Sequence, residues 1–150
     1  MEQLPYLYKR NSTTRYTFIS TGRRQIKKVV DFTPLSKENI FNMGFGDLQS
    51  DGTIDDKANS NNGDIIKVLS TVIHILKDFT SQFPDIQVFF SGSTIERTRL
   101  YGRILKTYYA SFRKEFVITG IILLKNTYTQ IPFDPKAKQE YLGFLIRRIV

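Results

Sequence analysis

Asp64-Ile65-Ile66-Lys67-Val68-Leu69-Ser70-Thr71-Val72-Ile73-His74-Ile75-Leu76-Lys77-Asp78-Phe79, then Pro84, Ile86-Gln87-Val88-Phe89-Phe90 and Ser91-Gly92-Ser93-Thr94-Ile95-Glu96-Arg97-Thr98-Arg99-Leu100-Tyr101, is the stretch whose reading decides the fold. Ile65, Leu69, Val72, Ile73, Leu76 and Phe79 recur at helical spacing and predict an amphipathic helix that ends before Pro84. Asn62 or Asp64 is placed to cap its start, the carboxylate also suiting the positive end of the helix dipole. Ile86–Phe90 then reads as a central strand. A second helix is expected from about Ile95 to Ser111, capped by Thr94, with Arg97, Tyr101, Ile104, Leu105, Tyr108 and Phe112 along one face.

Outward from this helix–strand–helix unit, the period changes to that of strands. Phe116–Leu124 predicts a strong strand, and Tyr141–Ile149 a last strand paired with it, although its spacing also suits a short helix. Upstream, Tyr16–Ser20, Gln25–Phe32 and Ile40–Phe45 are short, β-branched or aromatic and partly alternating, as antiparallel strands are. Thr21-Gly22 and residues 34–39 are their connections. Residues 47–62, rich in Gly, Asp, Asn and Ser, read as an exposed acidic loop. The expectation is an α+β fold: a single mixed, mostly antiparallel sheet with two main helices, in one domain over residues 1–150.

Composition narrows the chemistry. A chain of 150 residues with 41% hydrophobic and 13% aromatic content has the apolar bulk for its own core. Without cysteine there is neither a disulfide framework nor a thiolate metal site, and His74 alone makes no multi-histidine zinc site. A cytoplasmic location is expected. No apolar run approaches the roughly 20 residues needed to span a bilayer, so no membrane association is expected. Charge falls in three zones, basic over residues 1–30, acidic over 31–64 and basic again beyond. The formal net charge of +8 favours an anionic ligand, an acidic protein or nucleic acid as partner, and it also serves plain solubility.

The segment from Ser91 to Arg103 is the most site-like. A strand–glycine–hydroxyl–helix corner offers free backbone N–H groups and the positive end of a helix dipole, which together attract anions. Gly92 permits a tight turn or close approach, Ser93 and Thr94 supply hydroxyls, and Arg97 is placed to clamp a phosphate or carboxylate in two-pronged fashion. The competing reading is structural: Thr94 only caps the helix, and Arg97 neutralises an internal carboxylate such as Asp47 or Asp64. Arg99, Arg103 and Lys106 share a different face, either solvated or a binding surface for ligand or nucleic acid. Asp47, Asp51, Asp55, Asp56 and Asp64 match no EF-hand loop, and no metal is expected. His74, flanked by apolar neighbours, reads as a packing or surface residue.

The words Asn61-Asn62-Gly63-Asp64…Lys67-Val68-Leu69-Ser70-Thr71-Val72 and Gly92-Ser93-Thr94…Arg97-Thr98-Arg99-Leu100-Tyr101 resemble those of an uncharacterised bacterial domain-of-unknown-function family, over about Lys27 to Arg147. Over about residues 40–125 the chain also resembles, more distantly, the GNAT acyltransferase superfamily. There, a glycine-rich loop leads into a helix, a strand and a helix containing Leu-Tyr, matched here by Leu100-Tyr101. That resemblance implies a GNAT-like fold, Tyr101 as the acid that protonates the leaving thiolate of coenzyme A, and Gly63 at the pyrophosphate. The pattern's Asn and Ala, seven and four residues before the tyrosine, are Thr94 and Arg97 here. Only one glycine of the pyrophosphate loop is kept in Ser60–Ile65, and Asp64 and Ile65 would repel and crowd a pyrophosphate. No cofactor is therefore expected, acetyl-coenzyme A being the one the resemblance raises. The reading is a non-catalytic binding module holding an anionic ligand or protein partner at residues 91–103. Its alternatives are a divergent N-acyltransferase and a basic nucleic-acid-binding protein.

Overall fold

The computed structural model describes residues 4–35, 39–55 and 62–149. Its elements are β1 (Tyr8–Arg10), β2 (Arg15–Ser20), β3 (Ile26–Pro34), β4 (Ile40–Leu48), β5 (Ile54–Asp55), α1 (Ile65–Gln82), β6 (Gln87–Phe90), α2 (Ile95–Thr107), α3 (Tyr109–Phe112), β7 (Phe116–Leu124), β8 (Thr127–Pro132) and β9 (Gly143–Arg148). The strands form one mixed, mostly antiparallel sheet in the order β1-β2-β3-β4-β6-β9-β7-β8, with β5 paired to β4. The α+β expectation holds. No helix among the described residues is long and apolar enough to cross a membrane.

The chain forms two compact units, Met1–Thr33 with Met43–Phe83 and Pro34–Asn42 with Pro84–Val150, and β4 contributes residues to both. In the first, β2 and β3 pair antiparallel and present Tyr16, Phe18, Val29, Val30 and Phe32 to the core. The buried stripe of α1 is Val68, Leu69, Val72, Ile75, Leu76 and Phe79. This corrects the sequence pattern by a fraction of a turn. Ile65 lies half exposed and Ile73 half-buried, because Phe79 fixes the helix rotation by stacking on Phe32 at 3.8 Å between ring centroids. The segment read as a loop from residue 47 begins as strand: β4 runs to Leu48, and β5 returns on it with Asp47 opposite Asp55. The turn between them is held by Asp51, whose carboxylate accepts from the Thr53 amide and hydroxyl, and by Gly52 at φ +86°. Residues 56–61 of that segment lie outside the described residues.

In the second unit β6 is central, pairing parallel with Ile40–Asn42 of β4 and antiparallel with β9. Residues 141–149 resolve to a strand: Gly143–Arg148 form β9, inserted between β6 and β7. Four successive buried residues, Gly143 to Ile146, show that both faces of β9 are covered. A strand unforeseen in the sequence, β8, returns on β7 through Lys125-Asn126, both at positive φ as a two-residue hairpin turn requires. The second helix is shorter than its pattern. It ends at Thr107, Tyr108 closing on the Ile104 carbonyl, and Tyr109–Phe112 form a separate turn that buries Phe112.

Candidate functional site

The corner between β6 and α2 folds as its residues dictate. Thr94 caps α2, its hydroxyl accepting from the Arg97 amide at 3.2 Å. The Thr98 hydroxyl is buried and ties the corner together, accepting from the Gly92 amide at 3.0 Å and donating to the Thr94 carbonyl at 3.1 Å. Gly92 is required there, since a Cβ would stand 2.5 Å from the Thr98 nitrogen and overlap Arg97 Cβ. Thr98, which the pattern of apolar residues passes over, thus satisfies amide and carbonyl groups that a ligand would otherwise meet. Ser93 is exposed and Arg97 half-buried. The two carboxylates considered as partners for Arg97 are engaged elsewhere. Asp47 pairs with Lys28, and Asp64 accepts from Tyr6 and Ser20.

Tyr101 packs edge-on against Phe90, with ring centroids 5.4 Å apart. Burial pushes its phenol up to about 12, against the opposing effect of the Arg97 charge. It therefore keeps its proton at neutral pH.

One turn further along α2, a cavity of about 130 Å³ opens between the helix and the segment 133–144. Arg99 and Arg103 line it from the helix, and Phe133, Tyr141 and Phe144 form its aromatic wall. These rings are mutually in contact, 5.3 to 5.9 Å between centroids. The Tyr141 ring is seated by Gly120, where any Cβ would overlap it. Its hydroxyl accepts from the Asp134 amide at 3.2 Å, which leaves its proton for another acceptor. Arg99 is already committed. Its guanidinium makes a two-pronged pair with Glu140, Nε–Oε1 2.5 Å and Nη2–Oε2 2.9 Å, which raises the pKa of the arginine and lowers that of the carboxyl group. Asp134 also lines the cavity, and its Oδ1 accepts from the Lys136 amide at 2.9 Å. The Arg103 side chain makes no hydrogen bond or ion pair among the described residues. Of the residues singled out on sequence, the cavity brings together Arg99 and Arg103; Gly92, Ser93, Thr94, Arg97 and Tyr101 are not part of its lining.

A family model described as a family of unknown function, DUF6934, matches residues 2–149. The chain belongs to this family. The match extends beyond the segment from Lys27 to Arg147 on which the resemblance was drawn. No curated protein and no solved structure matches the chain significantly. For this DUF6934 chain, function has to be read from the chemistry of its own residues.

At the start of α1, Gly63 adopts φ +80°. Asn62 is buried and stitches this start to the β2–β3 turn. Its Nδ2 donates to the Ser20 hydroxyl at 2.8 Å and to the Arg24 carbonyl at 2.7 Å, and its Oδ1 accepts from the Arg24 amide at 2.9 Å. Asp64 occupies the cap position but does not cap. Its carboxylate accepts instead from the Tyr6 and Ser20 hydroxyls, each at 2.5 Å. Gly22 faces this seam so closely that a Cβ would overlap the Asn62 carbonyl. The helix start therefore carries the chain's own carboxylate. Among the described residues no three potential metal ligands cluster.

Proposed function

We propose that the chain is a non-catalytic binding module, on a GNAT-like fold, that holds a small anionic ligand on the α2 face, in the cavity between α2 and residues 133–144. The observation that carries this reading is the Arg103 guanidinium, which makes no hydrogen bond or ion pair among the described residues and lines an aromatic-walled cavity. Ligand pockets combine such apolar walls with a few placed polar groups, and a guanidinium offers a carboxylate or phosphate two parallel hydrogen bonds. The succession α1, β6, α2 with Leu100-Tyr101 inside α2 supports the GNAT-like fold. The carboxylate of Asp64 at the start of α1 argues against coenzyme A held there, because it would face a pyrophosphate with like charge. A phenol that titrates near 12 is also a weak acid for a leaving thiolate.

The test is thermal stabilisation of the wild-type chain and of Arg103→Ala by benzoate, acetate and inorganic phosphate, with acetyl-coenzyme A in parallel. A ligand at one hundred times its dissociation constant stabilises by about 2.7 kcal/mol, well within reach of the method. The expected result is stabilisation of the wild type by at least one of the three small anions, lost in Arg103→Ala, and none by acetyl-coenzyme A. Stabilisation by acetyl-coenzyme A with no response to the small anions would overturn the proposal in favour of an acyltransferase.

A further inference from the structure

We infer that the cavity beside α2 is a site for a single-ring aromatic carboxylate. This rests on the anion-binding reading of the same cavity and goes beyond it by naming the shape and the anchor points of the ligand. The volume sets the size. At about 130 Å³ the cavity, which is partly open to solvent, is close to the roughly 150 Å³ of an apolar cavity that accepts benzene, so it has room for one six-membered ring.

The wall sets the character of the ring. Phe133, Tyr141 and Phe144 meet at tilted and edge-on angles of 37°, 51° and 71°, so the wall is a cluster of rings that a further ring can join at a tilted or edge-on angle. Aromatic pairs favour those offset and T-shaped geometries over flat stacking. Gly102, on the helix side, carries no side chain to fill this space, and a Cβ there would stand 3.3 Å from Phe144 Cζ. The absence of a side chain at Gly120 leaves room for the Tyr141 ring, and at Gly102 it lets α2 approach Phe144 closely.

The polar groups set the charge. Of the four charged residues that line the cavity, Arg99 and Glu140 neutralise one another in their two-pronged pair, whereas Asp134 keeps its negative charge, one oxygen accepting from the Lys136 amide, so the anchor for an anion is Arg103 alone. Arg103 retains its donors, and the Tyr141 hydroxyl, already accepting from the Asp134 amide, turns its proton to an outside acceptor. A guanidinium and a phenolic donor on one aromatic cavity match a carboxylate attached directly to a ring. The exposed Arg99–Glu140 bridge links α2 to the segment that carries Tyr141 across the cavity.

The experiment is calorimetric titration of the wild type with benzoate, acetate and benzamide, repeated with Arg103→Ala and with Ala137→Phe, which places a ring in the cavity from its exposed loop side. Benzoate is expected to bind at least tenfold more tightly than acetate or benzamide, and both substitutions are expected to weaken it at least tenfold with an unchanged circular dichroism spectrum. Equal binding of acetate and benzoate, both lost in Arg103→Ala, would overturn the aromatic assignment and leave the anion-binding reading standing. Equal binding of benzamide and benzoate would overturn both. Benzoate binding that survives Ala137→Phe would place it outside this cavity and overturn the inference.

Discussion

The ring of Tyr141 fills the space over Gly120 that a β-carbon would occupy. Gly120 sits in the middle of β7, opposite Phe144 of β9 and Ile131 of β8, where a glycine otherwise weakens a strand. Its presence is explained by the ring. Gly120→Ala is expected to destabilise the protein by about 1–3 kcal/mol, the usual cost of forcing an extra methyl group into a filled space. Urea denaturation measures it, and the double variant Gly120→Ala with Tyr141→Ala should be less destabilised than the sum of the single changes. Additivity would mean that the ring is free to move aside.

The seam between the β2–β3 turn and the start of α1 depends on one amide side chain. Asn62 donates to Ser20 and Arg24 and accepts from Arg24, all in buried or half-buried surroundings. Asn62→Ala removes these bonds together and leaves their backbone partners unsatisfied, at roughly 1–3 kcal/mol for each buried group left unpaired. The expected loss is about 2–4 kcal/mol in chemical denaturation, with Asn62→Asp intermediate, since it keeps the acceptor and loses the donor. A loss below 0.5 kcal/mol, on the order of an ordinary surface substitution, would show that water replaces the side chain without penalty.

What the sequence made legible follows from which signals are local. Thr94 as a cap, α1 and β6 were readable because each rests on neighbours within a turn or a strand. The rotation of α1 was not, since Ile65, Val68 and Ile75 are equally apolar and only the distant Phe32 decides which of them face inward. β8 escaped notice because its turn uses Lys125 and Asn126 rather than a glycine. Of the candidate site, Arg103 was found but not its setting. Glu140, forty-one residues from Arg99, and the rings of Phe133 and Tyr141 join α2 only in three dimensions.

The ion pair between Lys28 and Asp47 is largely buried, with the two side chains 8% and 16% exposed. Lys28 also lies over the Phe45 ring at 5.9 Å. A buried charge that loses its partner is far more costly than the pair itself is stabilising. Lys28→Ala is expected to cost about 3–5 kcal/mol, whereas the double change Lys28→Met with Asp47→Leu should recover most of that loss. Equal destabilisation of the single and double variants would show that the pair is not the source of the effect.

Tyr8, Tyr16 and Tyr101, all with phenols raised chiefly by burial, make the stability of the protein depend on alkaline pH. Burial pushes the phenols of Tyr8 and Tyr101 up to about 12 each, and for Tyr8 the Asp78 carboxylate, which accepts from its hydroxyl at 3.0 Å, adds to the effect. In the unfolded chain all three titrate near 10. Between pH 10 and 12 the unfolded chain has therefore lost protons that the folded chain still holds, so stability falls as pH rises through that window and is fully present below it. The urea midpoint should drop steadily from pH 10 to pH 12, and Tyr101→Phe, which keeps the ring against Phe90 and removes the proton, should flatten part of that drop. The rise in tyrosinate absorbance of the folded wild type should extend to about pH 12 and lose part of its late phase in the same variant. A single ionisation step near pH 10 in the folded protein would show that none of these phenols is held away from water.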